Sequence, residues 1–136
     1  MERETIADAQ ITASTMRDVN SSPSLARLRL KVDGIKQGGW SALDNDLSQW
    51  LQVNLGSYTT VTRIATQGRN GFSEWVTKYI LQYSNDGVTF QVYREPGTRG
   101  PKVLEIILVT LFLIENNSCA HRRYEMSFPV YKNRGG

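Results

Sequence analysis

The chain has 136 residues, the length of one domain and enough to bury a single core. Apolar residues make up 40% and charged residues 21%, which excludes wholesale disorder; 16 basic and 13 acidic residues leave +3, too small and mixed a charge to mark a nucleic-acid binder. A single cysteine, Cys119, excludes an intrachain disulfide, and with the lone His121 it is too little for a four-ligand zinc site or a Cys/His nucleophile pair.

Met1-Glu2-Arg3-Glu4 is charged and no apolar segment follows, so the opening does not read as a secretory signal. Residues 9–14 read as a short strand. Residues 18–24 are a loop by composition, with Asn20, Ser21, Ser22 and Pro23. Residues 25–32 alternate Leu and Arg and fit strand or helix. Residues 33–41 form a second loop, with Gly34, Gly38 and Gly39, ending near Trp40. Residues 49–55 alternate, with Leu51, Val53 and Leu55 on one face and Trp50, Gln52 and Asn54 on the other. A further strand is expected over 61–67, then a Gly- and Asn-rich loop over 68–73. Residues 76–84 place Tyr79, Leu81 and Tyr83 on one face, and Asn85-Asp86-Gly87 turns the chain into a partner strand over 89–93. Short strands separated by turn signals predict a β-sandwich or jelly roll.

The texture changes after Pro96. Residues 1–97 hold ten basic and ten acidic residues, whereas 98–136 hold six and three, so the net charge sits in the last 39 residues. An apolar run covers 103–114, interrupted by Glu105 and Thr110; at twelve residues it is too short for a membrane helix and reads as a buried strand or short core helix.

The blocks Ile6-Ala7-Asp8-Ala9-Gln10-Ile11-Thr12-Ala13-Ser14, Ala26-Arg27-Leu28, Gly39-Trp40-Ser41-Ala42, Gln49-Trp50-Leu51-Gln52-Val53-Asn54-Leu55-Gly56, Val61-Thr62-Arg63-Ile64-Ala65-Thr66-Gln67-Gly68-Arg69 and Trp75-Val76-Thr77-Lys78-Tyr79-Ile80-Leu81-Gln82-Tyr83-Ser84-Asn85-Asp86-Gly87, in this order, resemble a discoidin domain, also called the coagulation factor 5/8 type C domain. The likeness covers about residues 6–96. It implies an all-β antiparallel jelly-roll β-sandwich of galactose-binding-like type, non-catalytic, with recognition loops at one end. It also implies an extracellular or cell-surface setting, and carbohydrate, anionic phospholipid or a matrix protein such as collagen as ligand. Two departures stand out: the family's paired terminal cysteines are absent, and 98–136 do not align with its closing strands. On this reading residues 1–5 are an extension, 6–97 a discoidin-type module incomplete at its C-terminal end, and 98–136 a divergent tail. The leading reading is an adhesion module that recognises carbohydrate or a cell-surface or matrix ligand through three loops at one end; the alternatives are an anionic phospholipid-binding module, a targeting appendage of a glycoside-active enzyme, and a truncated fragment without function.

The recognition loops are expected at 16–24, 36–42 and 68–74. Phospholipid-binding members carry apolar tips ringed by cations, for which Met16, Val19 and Phe72 with Arg17, Lys36 and Arg69 are the candidates. For sugar binding the candidates are Trp40, Asn45, Arg69, Asn70 and Phe72, with Arg69 foremost as a side chain projecting from a loop tip. Core packing is the competing role for Trp40, and the stronger one for Trp50 and Trp75. Asp44-Asn45-Asp46 offers oxygen ligands for Ca²⁺ but lacks the EF-hand pattern, so a solvated turn is the simpler reading and no cofactor is expected. Asn20-Ser21-Ser22 and Asn116-Asn117-Ser118 fit the glycosylation acceptor pattern.

Overall fold

The computed structural model describes residues 6–56, 61, 64–76, 78–100 and 103–105. Six short strands carry the architecture among these residues. Strand β1 (Ile11–Ala13) pairs antiparallel with β2 (Leu51–Val53), Ile11 facing Val53 and Ala13 facing Leu51. The ladder continues at both ends, where the Ser14 N–H donates to Trp50 O at 3.0 Å and the Asn54 N–H to Gln10 O at 2.8 Å. The alternation expected over 49–55 is present: Leu51 and Val53 are buried and Gln52, between them, is half-buried.

The segment expected as one strand over 76–84 appears as β3 (Lys78–Ile80) and β4 (Gln82–Tyr83), separated at Leu81. Strand β4 pairs antiparallel with β5 (Gln91–Val92), which is the expected hairpin, and the Tyr93 N–H extends it by donating to Leu81 O at 2.8 Å. The connection is organised by Asp86. Its carboxylate accepts from the backbone N–H groups of Val88 and Thr89 and from Ser84 Oγ, each at 2.8 Å, while Gly87 takes φ 75°. These bonds, those from the Thr89 and Val88 N–H foremost, hold the Asp86 carboxyl below the usual carboxylate range. Strand β3 pairs antiparallel with β6 (Val103–Glu105), the first residues of the apolar run.

Two expectations are corrected. Among the described residues of 61–67 only Val61 takes part in a bridge; residues 64–67 run irregularly, and Gln67 Oε1 accepts from the Arg29 N–H at 2.9 Å. Residues 25–32 are neither strand nor helix beyond a 3₁₀ turn at Pro23–Leu25, because Arg29 sits at φ 61°, which ends any regular run. The expected loop over 18–24 is built from that turn and another at Val19–Ser21, where the Asp18 carboxylate accepts from the Asn20 N–H at 2.8 Å. Cys119, His121, Asn116 and the apolar run beyond Glu105 lie outside the described residues. Among the described residues no helix is long and apolar enough to cross a membrane.

The core gathers Ile11, Leu51 and Val53 from the first strand pair, Tyr79 from β3, Leu81 from its junction with β4, and Ala26 and Trp40 from the connecting segments. Residues near and far in sequence share one apolar cluster, so the loops are fastened to the same core as the strands. Replacing Leu51 by Ala removes buried methyl groups at its centre and is expected to cost about 3 kcal/mol, read as a lower denaturation midpoint at unchanged slope.

Candidate functional site

Three segments, 16–24, 29–42 and 68–74, are drawn together by backbone hydrogen bonds. Arg17 N–H donates to Ser41 O at 2.9 Å, Gln37 N–H to Asn20 O at 2.9 Å, and Ser41 N–H to Ser21 O at 3.2 Å. The third segment joins where the Asn70 N–H donates to Gly38 O at 3.2 Å and Asn70 Oδ1 accepts from the Val32 N–H at 3.1 Å. Gly38 is glycine for a steric reason: a Cβ there would lie 2.6 Å from Asn70 Cβ and 2.8 Å from Asn70 O.

Glu74 fastens the same three segments through side chains. Its carboxylate accepts from Arg17 Nη1 at 2.7 Å, from Ser41 Oγ at 3.2 Å and from Arg69 Nη1. Burial works to raise the Glu74 pKa, but the hydrogen bonds from Arg17 and Arg69, with their charges, outweigh it and hold the group down to about 2. Arg69 is therefore not the projecting side chain the sequence suggested. It is 3% exposed, and its guanidinium lies 3.9 Å from the centroid of the Phe72 ring. Glu74, five residues further on, draws the cation inward instead of leaving it to solvent.

Trp40 is likewise a core residue, 5% exposed, with Nε1 donating to Thr15 O at 2.9 Å. Buried Gln49 supports the start of the first loop: Oε1 accepts from Ser14 Oγ at 2.7 Å and from Thr15 Oγ1. Its Nε2 donates to Asp46 Oδ1 at 3.0 Å, and the Ser48 N–H donates to the same oxygen at 2.8 Å, so Asp46 works as a turn cap. Asp44 and Asn45 are exposed beside it, Trp50 and Trp75 are half-buried, and Asn20 is half-buried in its 3₁₀ turn.

The remaining candidates stand at the surface. Met16, Lys36, Asn70 and Phe72 are exposed, and Arg17 is half-buried in its pair with Glu74. Val19 is 74% exposed. Sequence reasoning missed Ile35, 79% exposed on a tight turn. Asp33 and Lys36 exchange backbone hydrogen bonds of 3.1 and 3.0 Å, and Gly34 at φ 58° holds the first central position, which leaves Ile35 at the tip. The signal was available in the Asp33-Gly34 dipeptide. Beside this turn lies a cavity of about 530 Å³, walled by Arg27, Lys31, Asp33 and Lys36 together with Ile6 and Leu30.

The antiparallel strand pairs belong to an all-β galactose-binding-like fold. The F5/8 type C domain family matches residues 10–109, and the chain belongs to that family. Lactadherin from Rattus norvegicus is 39% identical over 106 residues, spanning 72% of this chain and 24% of that protein. The wild-type structure of discoidin II from Dictyostelium discoideum superposes with a TM-score of 0.72 at 20% identity, covering 91% of this chain and 49% of that one. A structure of recombinant discoidin II gives the same TM-score and identity over 50% of its length. The chain thus spans about a quarter of the rat relative and half of the discoidin II chains.

Two substitutions test the clamp. Gly38→Ala is expected to lower stability by about 1–3 kcal/mol in thermal melts, because the new methyl group forces 38 and 70 apart. Gly100→Ala, in open space, is expected to stay within about 0.5 kcal/mol. Glu74→Gln leaves the Arg69 cation buried without its carboxylate and is expected to cost about 3 kcal/mol at neutral pH. Because folding lowers the Glu74 pKa, its contribution is complete above its ordinary value of 4.5 and is lost as pH falls towards about 2. In urea titrations across that window the wild type is expected to lose stability and Glu74→Gln to lose correspondingly less.

Proposed function

We propose that the chain is a non-catalytic extracellular binding module whose loop end engages the surface of an anionic phospholipid membrane. The observation that carries this reading is the exposure of Val19 and Ile35 on loops pinned to one another, the two segments being joined at Asn20 and Gln37. An aliphatic side chain in this position gains by entering the acyl boundary, and residues 29–36 supply Arg29, Lys31 and Lys36 against a single carboxylate, Asp33, for attraction to anionic headgroups. Lys31 and Lys36 also line the cavity beside the Ile35 turn, with Asp33 and with Arg27, which is buried and paired with Asp8. Membership of the F5/8 type C domain family, with its likeness to lactadherin, supports a binding role.

The sugar-binding reading loses two of its main candidates to the interior, since Trp40 and Arg69 are buried. It retains the exposed Phe72 ring with Asn70 beside it, which is an aromatic face next to a hydrogen-bonding amide. A matrix-protein ligand would draw on the same loops. Asp44 and Asp46 are not assigned a cation.

Sedimentation with phosphatidylserine-containing and phosphatidylcholine vesicles tests the membrane reading. The chain is expected to pellet with the former, and Val19→Ser with Ile35→Ser to weaken that binding by at least ~10-fold, the value of losing one well-buried aliphatic contact. Equal binding by the double variant would sink the loop assignment. Binding on a glycan array that Phe72→Ala abolishes, with no vesicle binding, would favour carbohydrate.

A further inference from the structure

Asn70 is the only asparagine in the sequence followed by glycine. It occupies a four-residue turn, Arg69 to Phe72, closed by the Phe72 N–H donating to Arg69 O at 3.3 Å. Gly71 sits at φ 78° in the third position, the pattern of a type II turn. Both residues are exposed to solvent. Three features of this turn bear on one reaction. Gly71 has no side chain to shield its backbone nitrogen. Among the described residues its N–H donates no hydrogen bond, so that nitrogen is free to lose its proton to solvent. The Asn70 carboxamide is already polarised, because Oδ1 accepts from the Val32 N–H at 3.1 Å, a donor placed where negative charge develops when the carbonyl carbon is attacked.

We infer that Asn70 is a site of spontaneous deamidation, and that the reaction dismantles the junction of the three loops. The Gly71 nitrogen, having given up its proton to water, attacks Asn70 Cγ. The C–N bond to the side-chain nitrogen breaks, and that nitrogen leaves as ammonia after taking a proton from solvent, closing a succinimide. Water then opens either ring carbonyl. One opening gives aspartate and the other gives isoaspartate, in which the main chain runs through the former side chain. No oxidation or reduction occurs, and the only co-reactant is water.

The two products differ in their effect. Aspartate retains an oxygen able to accept from the Val32 N–H and leaves the backbone unchanged. Isoaspartate adds a methylene to the main chain at the point where Asn70 N bonds Gly38 O and where Gly38 leaves no spare room. The contact between the second and third loops cannot keep its register. The effect on ligand rests on the membrane reading above; the chemistry does not.

The test is to age the full chain at physiological temperature and neutral pH and to follow each asparagine by peptide mass mapping. Isoaspartate is quantified by labelling with isoaspartyl methyltransferase. Asn70 is expected to lose its amide several-fold faster than Asn20, Asn45, Asn54 and Asn85, with isoaspartate in the product. An Asn70 that keeps its amide while the others convert, or that converts in urea and not in the native chain, overturns the inference. The aged chain is expected to lose vesicle binding that Asn70→Asp retains, and methyltransferase repair to restore it. Equal binding by aged and fresh chain overturns the claim that the loop junction fails. If fresh chain never binds vesicles, the membrane reading fails alone and the mass measurement still decides the chemistry.

Discussion

One carboxylate holds the loop end together. Glu74 receives Arg17 from the first segment, Ser41 from the second and Arg69 from its own, so three stretches far apart in sequence converge on two oxygen atoms. Its placement beside the Arg69 side chain, which is almost wholly shielded from water, makes the arrangement asymmetric in energy. Forming the cluster gives a modest net gain, whereas removing the carboxylate leaves a cation in a poorly solvated place. The backbone contact between Gly38 and Asn70 works with it, joining the second and third segments that Glu74 also joins through Ser41. Everything presented to solvent by these loops inherits its position from that junction.

The division of labour among the loop residues follows. Residues with the largest capacity for specific polar contact, Arg17, Arg69 and Trp40, are spent on holding the scaffold. Those left at the surface near the junction combine apolar side chains, Val19, Ile35, Met16 and the ring of Phe72, with the cations Arg29, Lys31 and Lys36. A surface of this kind recognises an environment better than a molecular outline, since aliphatic groups respond to apolar surroundings and impose little directional demand.

Features encoded by neighbouring residues were legible in the sequence. The hairpin of β4 and β5 was readable because Asp86 and Gly87 specify their turn locally, and the alternation at Leu51, Gln52 and Val53 because one face of β2 packs on the core. The family was readable from ordered blocks of residues. Arg69 was misjudged because its loop composition is polar while its burial depends on Arg17 and Ser41, more than twenty residues away in chain position, meeting the same carboxylate. Ile35 was overlooked because an isolated aliphatic residue within a glycine-rich stretch carries no period, and its exposure follows from a two-residue turn. The strand expected over 61–67 had the right composition, but a strand is a pairing and composition names no partner.

The closure of β1 on β2 joins Ile11 to Val53, and the two earlier loop segments lie wholly inside that span. Glu74 lies beyond it. In a chain emerging from a ribosome, the first strand pair can form while Glu74 is still in the exit tunnel, with Arg17 waiting for its counter-charge. The loop end therefore cannot reach its final shape before residue 74 is available, however early the strand pair forms.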